Sequence, residues 1–181
     1  MIAVRDISKQ FGGLKALREC SFHVSPNKIT SIIGPNGAGK TTIFNVICGL
    51  IKPDKGKVFF NKKDITNKQP HVLSKALISR TFQQARLFEN MTVKDNLLLA
   101  RDCSTKEIQA ALDQVHFPLS MRKKASDLSY GQSRLVEIAR ALIKPHKLLM
   151  LDEPTAGVNP KVRASLKQIL LELKKTDLRY C

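Results

Sequence analysis

A glycine-rich loop between a predicted strand and a predicted helix constrains this sequence more than any other feature. The loop, GPNGAGKTT at residues 34–42, follows a β-branched run at residues 30–33 that predicts a short strand. The apolar residues between Ile43 and Leu50 repeat at helical spacing. In this context the backbone N–H groups of the loop surround phosphate oxygens, its lysine reaches the β and γ phosphates, and its first threonine ligates Mg²⁺. The predicted phosphate contacts are Gly34, Asn36, Gly37, Ala38, Gly39, Lys40, Thr41 and Thr42.

An apolar run that ends in two carboxylates supplies the second part of this chemistry. Residues 147–151 lie between Pro145 and Asp152 and are typical of a strand buried on both faces. Asp152 can hold the Mg²⁺ shell, and Glu153 can polarise a water for attack on the γ-phosphate. A strand ending in Asp-Glu can also place two carboxylates in solvent with no catalytic role. Its position after a phosphate-binding loop favours the catalytic interpretation.

Alternation of apolar residues predicts strands in the first half of the chain. The first thirty residues indicate an antiparallel β start that turns at Gly12-Gly13. Residues 58–65 indicate another small hairpin, and residues 78–83 a short extended segment. We therefore expect an antiparallel β part ahead of and around the phosphate loop.

Helical patterns dominate the second half. Two capping-box sequences, beginning at Thr92 and Ser104, predict helix N-termini. Further helices are predicted at about residues 131–143 and from Pro160 onwards. The expected architecture is α/β: a P-loop NTPase core with a mainly parallel sheet and an N-terminal antiparallel β subdomain, formed by residues 1–85 and 129–181. A small helical subdomain is expected at about residues 86–128.

The net charge of +16, from 31 basic and 15 acidic residues, invites interpretation as a nucleic-acid binder. The basic residues are spread along the chain, however, and they are not interleaved with aromatic residues as a stacking platform for single strands requires. An anionic ligand or an anionic membrane surface is therefore favoured over nucleic acid.

The sequence has no membrane-spanning apolar run and no signal peptide, so we expect a cytosolic chain. The four cysteines lack metal-ligand spacing and are expected to be reduced thiols.

The segment LSYGQSRLVEIARAL at residues 128–142 carries a glycine and polar residues at a predicted helix start, where they suit a second phosphate contact. Here the sequence resembles the nucleotide-binding subunits of ABC transporters, in which a Leu-Ser-x-Gly-Gln signature lies between the P-loop and the acidic strand. The resemblance runs from residue 1 to the C-terminus.

The resemblance implies further functional residues. Phe11 corresponds to the aromatic residue that stacks on adenine, although a core residue of the hairpin is the alternative. Gln83 resembles the glutamine that touches Mg²⁺ and the attacking water and links the site to the membrane subunits; Gln84 is the alternative. The metal contacts implied are thus Thr41, Gln83 and Asp152, with Glu153 and Gln83 catalytic.

The same resemblance implies partners. The family acts as a head-to-tail dimer closing on two ATP molecules, in which the γ-phosphate contacts from the opposite protomer would be Ser129, Gly131 and Gln132. Residues 156–159 stand where a loop would cross this interface. Transmembrane permease subunits are the other expected partners, with the chain peripheral on the inner face of the cell membrane, and no direct nucleic-acid contact is expected.

Four segments are similar to the ATPase subunits of branched-chain amino-acid importers: FGGLKAL from Phe11, RTFQ from Arg80, Tyr130 in the signature, and AGVNP from Ala156. The resemblance therefore implies ATP hydrolysis that powers such an importer. The transported substrate is chosen by other subunits, so no residue of this chain can identify it.

Two departures from the family pattern leave alternatives open. The segment between Gln83 and Leu128 is short for the helical subdomain. The family also places a switch histidine after a further strand, and the four residues from Leu178 onward are too few for both, so we expect the chain to stop before that histidine. The alternatives are an ATP-binding module with little or no hydrolysis and a non-transport ABC ATPase acting on nucleic acid. All four histidines precede Glu153 and are expected to be surface or packing residues: His23, His71, His116 and His146.

Overall fold

Two units follow one another along the chain. The computed structural model describes residues 1–81, 87–158 and 160–175. The first unit is Met1–Ile78 and the second is Ser79–Cys181. None of the helices within the described ranges is long and apolar enough to cross a membrane. The finer division into a P-loop core and a helical subdomain at residues 86–128 stays a prediction.

A four-stranded antiparallel sheet in the order β2-β1-β3-β4 forms the first unit together with two helices. Its buried face carries Ile2, Val4 and Ile7 of the first strand. The predicted antiparallel start and the hairpin near residues 58–65 are both confirmed. A second helix that the sequence analysis missed begins at Pro70, in the first-turn position that proline favours. The elements are β1 (Ile2–Phe11), β2 (Leu14–Val24), α1 (Lys40–Ile47), β3 (Lys55–Phe60), β4 (Lys63–Asp64) and α2 (Pro70–Lys75).

The strand predicted at residues 30–33 is wrong, because residues 25–35 contain neither strand nor helix. Ile33 is 92 % exposed. A β-branched run becomes a strand only where another strand can pair with its backbone, and the four-stranded sheet of the first unit does not include this segment. Instead, residues 30–32 line a mostly apolar cleft of about 270 Å³ together with β2 and the start of α1.

The second unit packs helices around one core and carries a two-stranded sheet. The core joins residues of four helices, among them Leu97, Leu112, Ile138 and Leu166. The predicted buried strand is confirmed, with Leu148 and Met150 buried. The predicted helices at 131–143 and from Pro160 are also confirmed. The elements are β5 (Ile78–Arg80), which begins at the boundary between the units, α3 (Val93–Leu98), α4 (Thr105–Gln114), a 3₁₀ turn (Ala125–Asp127), α5 (Tyr130–Ile143), β6 (Leu148–Met150) and α6 (Pro160–Lys175).

Side-chain caps fix the starts of three of these helices. Both predicted capping boxes form, at Thr92 ahead of α3 and at Ser104 ahead of α4. A third, unpredicted box joins Ser129 and Gln132 at the start of α5.

His146 precedes β6 as a buried packing residue whose Nδ1–H donates to the Lys144 carbonyl oxygen at 2.9 Å. Burial lowers the pKa of His146, so it packs as a neutral ring.

Candidate functional site

The glycine loop of the first unit has a backbone that other residues rarely adopt. Gly37 and Gly39 have φ values of 82° and 85°, in the left-handed region. Gly39 is the N-cap of α1, no side chain caps that end, and the first turn contains no acidic residue. Backbone N–H groups at such a helix start, with the positive end of the helix dipole, attract an anion. The prediction that this loop binds phosphate rests on these backbone features.

The lysine of the loop folds back over it. Lys40 Nζ donates to the carbonyl oxygens of Gly34 at 2.9 Å and Pro35 at 2.8 Å. Thr41 and Thr42 follow in the first turn of α1 and are half-buried. The ammonium group therefore lies against its own loop and bonds to two neutral carbonyl oxygens. The negatively charged oxygens of a phosphate would be stronger acceptors than these two carbonyls.

Gly39→Ala tests the loop backbone. A Cβ at Gly39 would lie 2.5 Å from the Ala16 carbonyl oxygen, and its positive φ adds strain of roughly 1–2 kcal/mol. We expect a lower thermal unfolding midpoint and a loss of ATP binding by calorimetric titration. Gly13→Ala is the matched control, since a Cβ there meets nothing within 4 Å. Equal behaviour of the two variants would contradict this account.

Phe11 ends β1 as a partly exposed ring. It is 45 % exposed, which argues against the alternative of a core residue. Lys9 Nζ lies 5.5 Å from the ring centroid and pairs with Asp54 Oδ1 at 2.7 Å. Asp54 also accepts the backbone N–H of Gln10. Two hydrogen bonds lower the pKa of Asp54: the bond from Lys9 has the larger effect, and the bond from the Gln10 backbone N–H has the smaller one. The end of β1 is thereby fixed, and the ring remains accessible for stacking.

Asp152 is a buried carboxylate two residues beyond the end of β6. It is 3 % exposed, and its Oδ2 accepts a hydrogen bond from Arg80 Nη2 at 2.8 Å. Both partners of this ion pair are buried, so it is much less screened than a surface pair. The contact of Arg80 with Asp152 is not predictable from the sequence, because nothing in the spacing of β5 and β6 gives their pairing register.

Glu153 adopts a left-handed backbone with φ of 47°. A second buried arginine, Arg134 of α5, reaches this turn: its Nη2 donates to the carbonyl oxygens of Asp152 at 2.8 Å and Glu153 at 3.0 Å. Its Nη1 donates to Glu137 Oε2 at 2.6 Å. Arg134 is not among the residues predicted from the sequence, although an Arg–Glu pair three residues apart on the apolar side of a helix is a visible signal.

The signature segment forms the start of α5. Ser129 N–H donates to Gln132 Oε1 at 2.9 Å, and Gln132 N–H donates to Ser129 Oγ at 3.4 Å. Gly131 packs so closely on Val162 that a Cβ there would lie 3.1 Å from it. A Cβ added at Gly157 would likewise lie 3.2 Å from the Tyr130 ring. The predicted phosphate-contact residues are therefore ordered by local bonds and close packing.

The sequence model of the ABC transporter family matches residues 17–156. This chain belongs to that family. It is 40 % identical to the LivG protein of Archaeoglobus fulgidus, described as a probable branched-chain amino acid transport ATP-binding protein, over 99 % of this chain and 77 % of that protein. It is 34 % identical to LivG of Escherichia coli K12, a high-affinity branched-chain amino acid transport ATP-binding protein, over 96 % of this chain and 77 % of that protein.

Solved ABC cassettes share the fold. A nucleotide-free ATP-binding cassette from an ABC transporter superposes with a TM-score of 0.86 at 38 % identity, covering 96 % of this chain and 76 % of that one. A dimeric bacterial ABC transporter cassette gives a TM-score of 0.87 at 27 % identity, covering 98 % of this chain and 84 % of that one. The α/β class with a P-loop NTPase core, and the predicted family resemblance, are confirmed.

Some predicted contacts of this ABC protein lie outside the described residues. These are Gln83, its alternative Gln84, and Asn159. Their roles stay predictions, as do the nucleotide, metal and catalytic roles of the loop, signature and acidic residues. What the structure adds is the local geometry of each segment and the two buried arginines, Arg80 and Arg134, beside the acidic pair.

Proposed function

We propose that this chain is the ATP-hydrolysing subunit of an ABC importer and that the importer carries branched-chain amino acids. The observation that carries the proposal is the position of Lys40, which folds over the glycine loop at the start of α1, a helix end without a side-chain cap. The relatives similar to this chain are transport ATP-binding proteins. The proposal is supported by the joint occurrence, in one chain, of a phosphate-loop sequence, the Asp-Glu pair after β6 and a signature segment. A transport ATPase requires all three.

In the proposed reaction, each segment has one task. The loop and Lys40 bind the phosphates of ATP, and Phe11 stacks on adenine. Glu153 accepts the proton of the attacking water as the water adds to the γ-phosphorus, and the bond to ADP breaks. Gln83 contacts the metal ion and the attacking water. Ser129, Gly131 and Gln132 contact the γ-phosphate bound to a second protomer.

Mg²⁺ is the cofactor that ABC ATPases generally use, and Asp152 offers it a hard oxygen ligand. Among the described residues, no group of three or more His, Cys, Asp or Glu side chains could hold a metal by itself. This fits Mg²⁺, which usually binds through one or two carboxylates plus the phosphates of the nucleotide. When bound, the ion would neutralise the charge that develops on the phosphates. Asp152 and Thr41 are the residues proposed to ligate it, with Gln83.

The proposed partners are a second nucleotide-binding subunit and transmembrane permease subunits. A related cassette was solved as a dimer, which supports pairing of two such subunits here; the head-to-tail arrangement is what the family resemblance implies. The net charge of +16 fits a position against the anionic inner face of the cell membrane. Direct binding to nucleic acid is not part of the proposal.

Two measurements test this function. Phosphate release by the purified chain should require both ATP and Mg²⁺ and saturate with ATP. Expression of the chain in E. coli lacking LivG should restore leucine uptake, and Lys40→Ala should not. ATP binding with phosphate release at background would identify an ATP-binding module instead. Turnover without restored uptake would keep the ATPase assignment and reject the proposed importer in that host.

A further inference from the structure

We infer that Arg134 is a positioning residue for Glu153, an inference that rests on the proposed function. We call its bonds to the Glu137 carboxylate and to the carbonyl oxygens of Asp152 and Glu153 the Arg134 bridge. Arg134 is 0 % exposed, which is exceptional for an arginine. No role in the proposed reaction explains why a full positive charge is buried at this place.

The backbone geometry at Glu153 explains it. Successive carbonyl groups of an extended strand point in opposite directions, so two of them cannot reach one nitrogen atom. The carbonyl oxygens of Asp152 and Glu153 both reach Arg134 Nη2, at 2.8 and 3.0 Å. The chain must therefore turn at residues 152–153, shortly after β6 ends, and Glu153 has the left-handed φ of 47° that accompanies this turn. Glutamate rarely adopts that conformation without support.

Glu137 makes the bridge rigid. Its side chain is also almost fully buried, and it lies one helical turn from Arg134. The carboxylate neutralises the guanidinium group and fixes its plane, which leaves Nη2 aimed at the two carbonyl oxygens. A lysine lacks this planar fork and cannot present two separate N–H groups in the same fixed directions.

The bridge connects two functional segments of the second unit. Arg134 lies in the second turn of α5, and the first turn is formed by the signature residues Tyr130 to Gln132 with Ser129 as N-cap. The other end of the bridge is the backbone of Asp152 and Glu153. The bridge therefore connects the signature end of α5 to the turn that carries the proposed catalytic carboxylate. The Asp152 carboxylate itself is held by Arg80.

The decisive variant is the double substitution R134M/E137L. Replacing both members of a buried ion pair with apolar residues of similar size is often neutral or stabilising, so the unfolding midpoint should be kept. The turn, however, loses both of its carbonyl bonds. We expect hydrogen exchange of peptides covering residues 152–158 to accelerate by about tenfold or more, with peptides from the first unit unchanged. The kcat should fall by about tenfold or more while the KM for ATP stays within about twofold.

Arg134→Lys is the second variant, which keeps a positive charge beside Glu137. It should show the same pattern to a smaller extent, and it decides the matter if the double variant fails to fold. A folded variant with parental exchange at residues 152–158 and parental kcat would overturn the inference. So would a lower unfolding midpoint with unchanged kcat, which is the result of a purely structural ion pair. If the parent chain shows no turnover, the proposed function fails, and exchange at residues 152–158 still decides whether the bridge holds the turn.

Discussion

Lys40→Ala is expected to weaken ATP binding by about 100-fold or more. The ammonium group of Lys40 already makes two hydrogen bonds to carbonyl oxygens of its own loop. Phosphate oxygens would replace these acceptors with charged ones, and a hydrogen bond to a charged group contributes about 1.5–3 kcal/mol. Since about 1.4 kcal/mol corresponds to a tenfold change in affinity, losing two such bonds gives the expected factor. Titration calorimetry with Mg²⁺ and ATP measures it.

Lys28→Ala is the control for this loss. Lys28 has the same charge and is exposed in the segment ahead of the loop, so its removal tests whether the net positive charge alone attracts ATP. It should leave the affinity within about twofold, because exposed charges contribute little at physiological salt. Equal losses in the two variants would show that ATP binds through general electrostatic attraction, and the phosphate-loop assignment would be wrong.

The sequence predicts the parts of this protein that local interactions decide. The glycine loop needs positive φ at Gly37 and Gly39, and only glycine adopts it without strain. The capping boxes at Thr92 and Ser104 are closed by bonds within four consecutive residues. Features of this kind are complete in a short stretch of sequence, and the structure confirms them. The third box, at Ser129, follows the same rule, and its residues also carry the predicted phosphate contacts.

The features that were not predicted depend on residues far apart in the chain. Residues 30–33 have the composition of a strand, but composition does not supply a neighbouring strand to pair with. Arg80 contacts Asp152, which is 72 residues further along the chain. Arg134 contacts Glu153, which is 19 residues further along. Such contacts follow from packing, which no local pattern encodes. The sequence therefore identified the proposed catalytic carboxylate but not the arginine that fixes its backbone.

Glu153→Gln is expected to lower ATP turnover by about 100-fold or more while leaving ATP binding intact, because general-base catalysis contributes roughly 10²–10⁴-fold. Glutamine has nearly the same size and shape but accepts no proton from water. Arg134 Nη2 donates to the backbone carbonyl oxygens of Asp152 and Glu153, and the substitution keeps both oxygens, so these two bonds should be preserved. Phosphate release measures the loss of turnover. Size-exclusion chromatography with ATP should show a dimer that persists, since hydrolysis would no longer separate the two protomers.

Glu19→Gln is a matched control, since Glu19 is also a glutamate with positive φ, 44°, and lies exposed in β2. It removes the same charge from the same unusual backbone conformation at a place without a proposed catalytic role. Parental turnover in Glu19→Gln and loss in Glu153→Gln would assign the effect to the carboxylate after β6. Parental turnover in both would reject Glu153 as the base. Because the Arg134 bridge holds the backbone and Glu153 supplies the carboxylate, R134M/E137L should change exchange at residues 152–158, whereas Glu153→Gln should not.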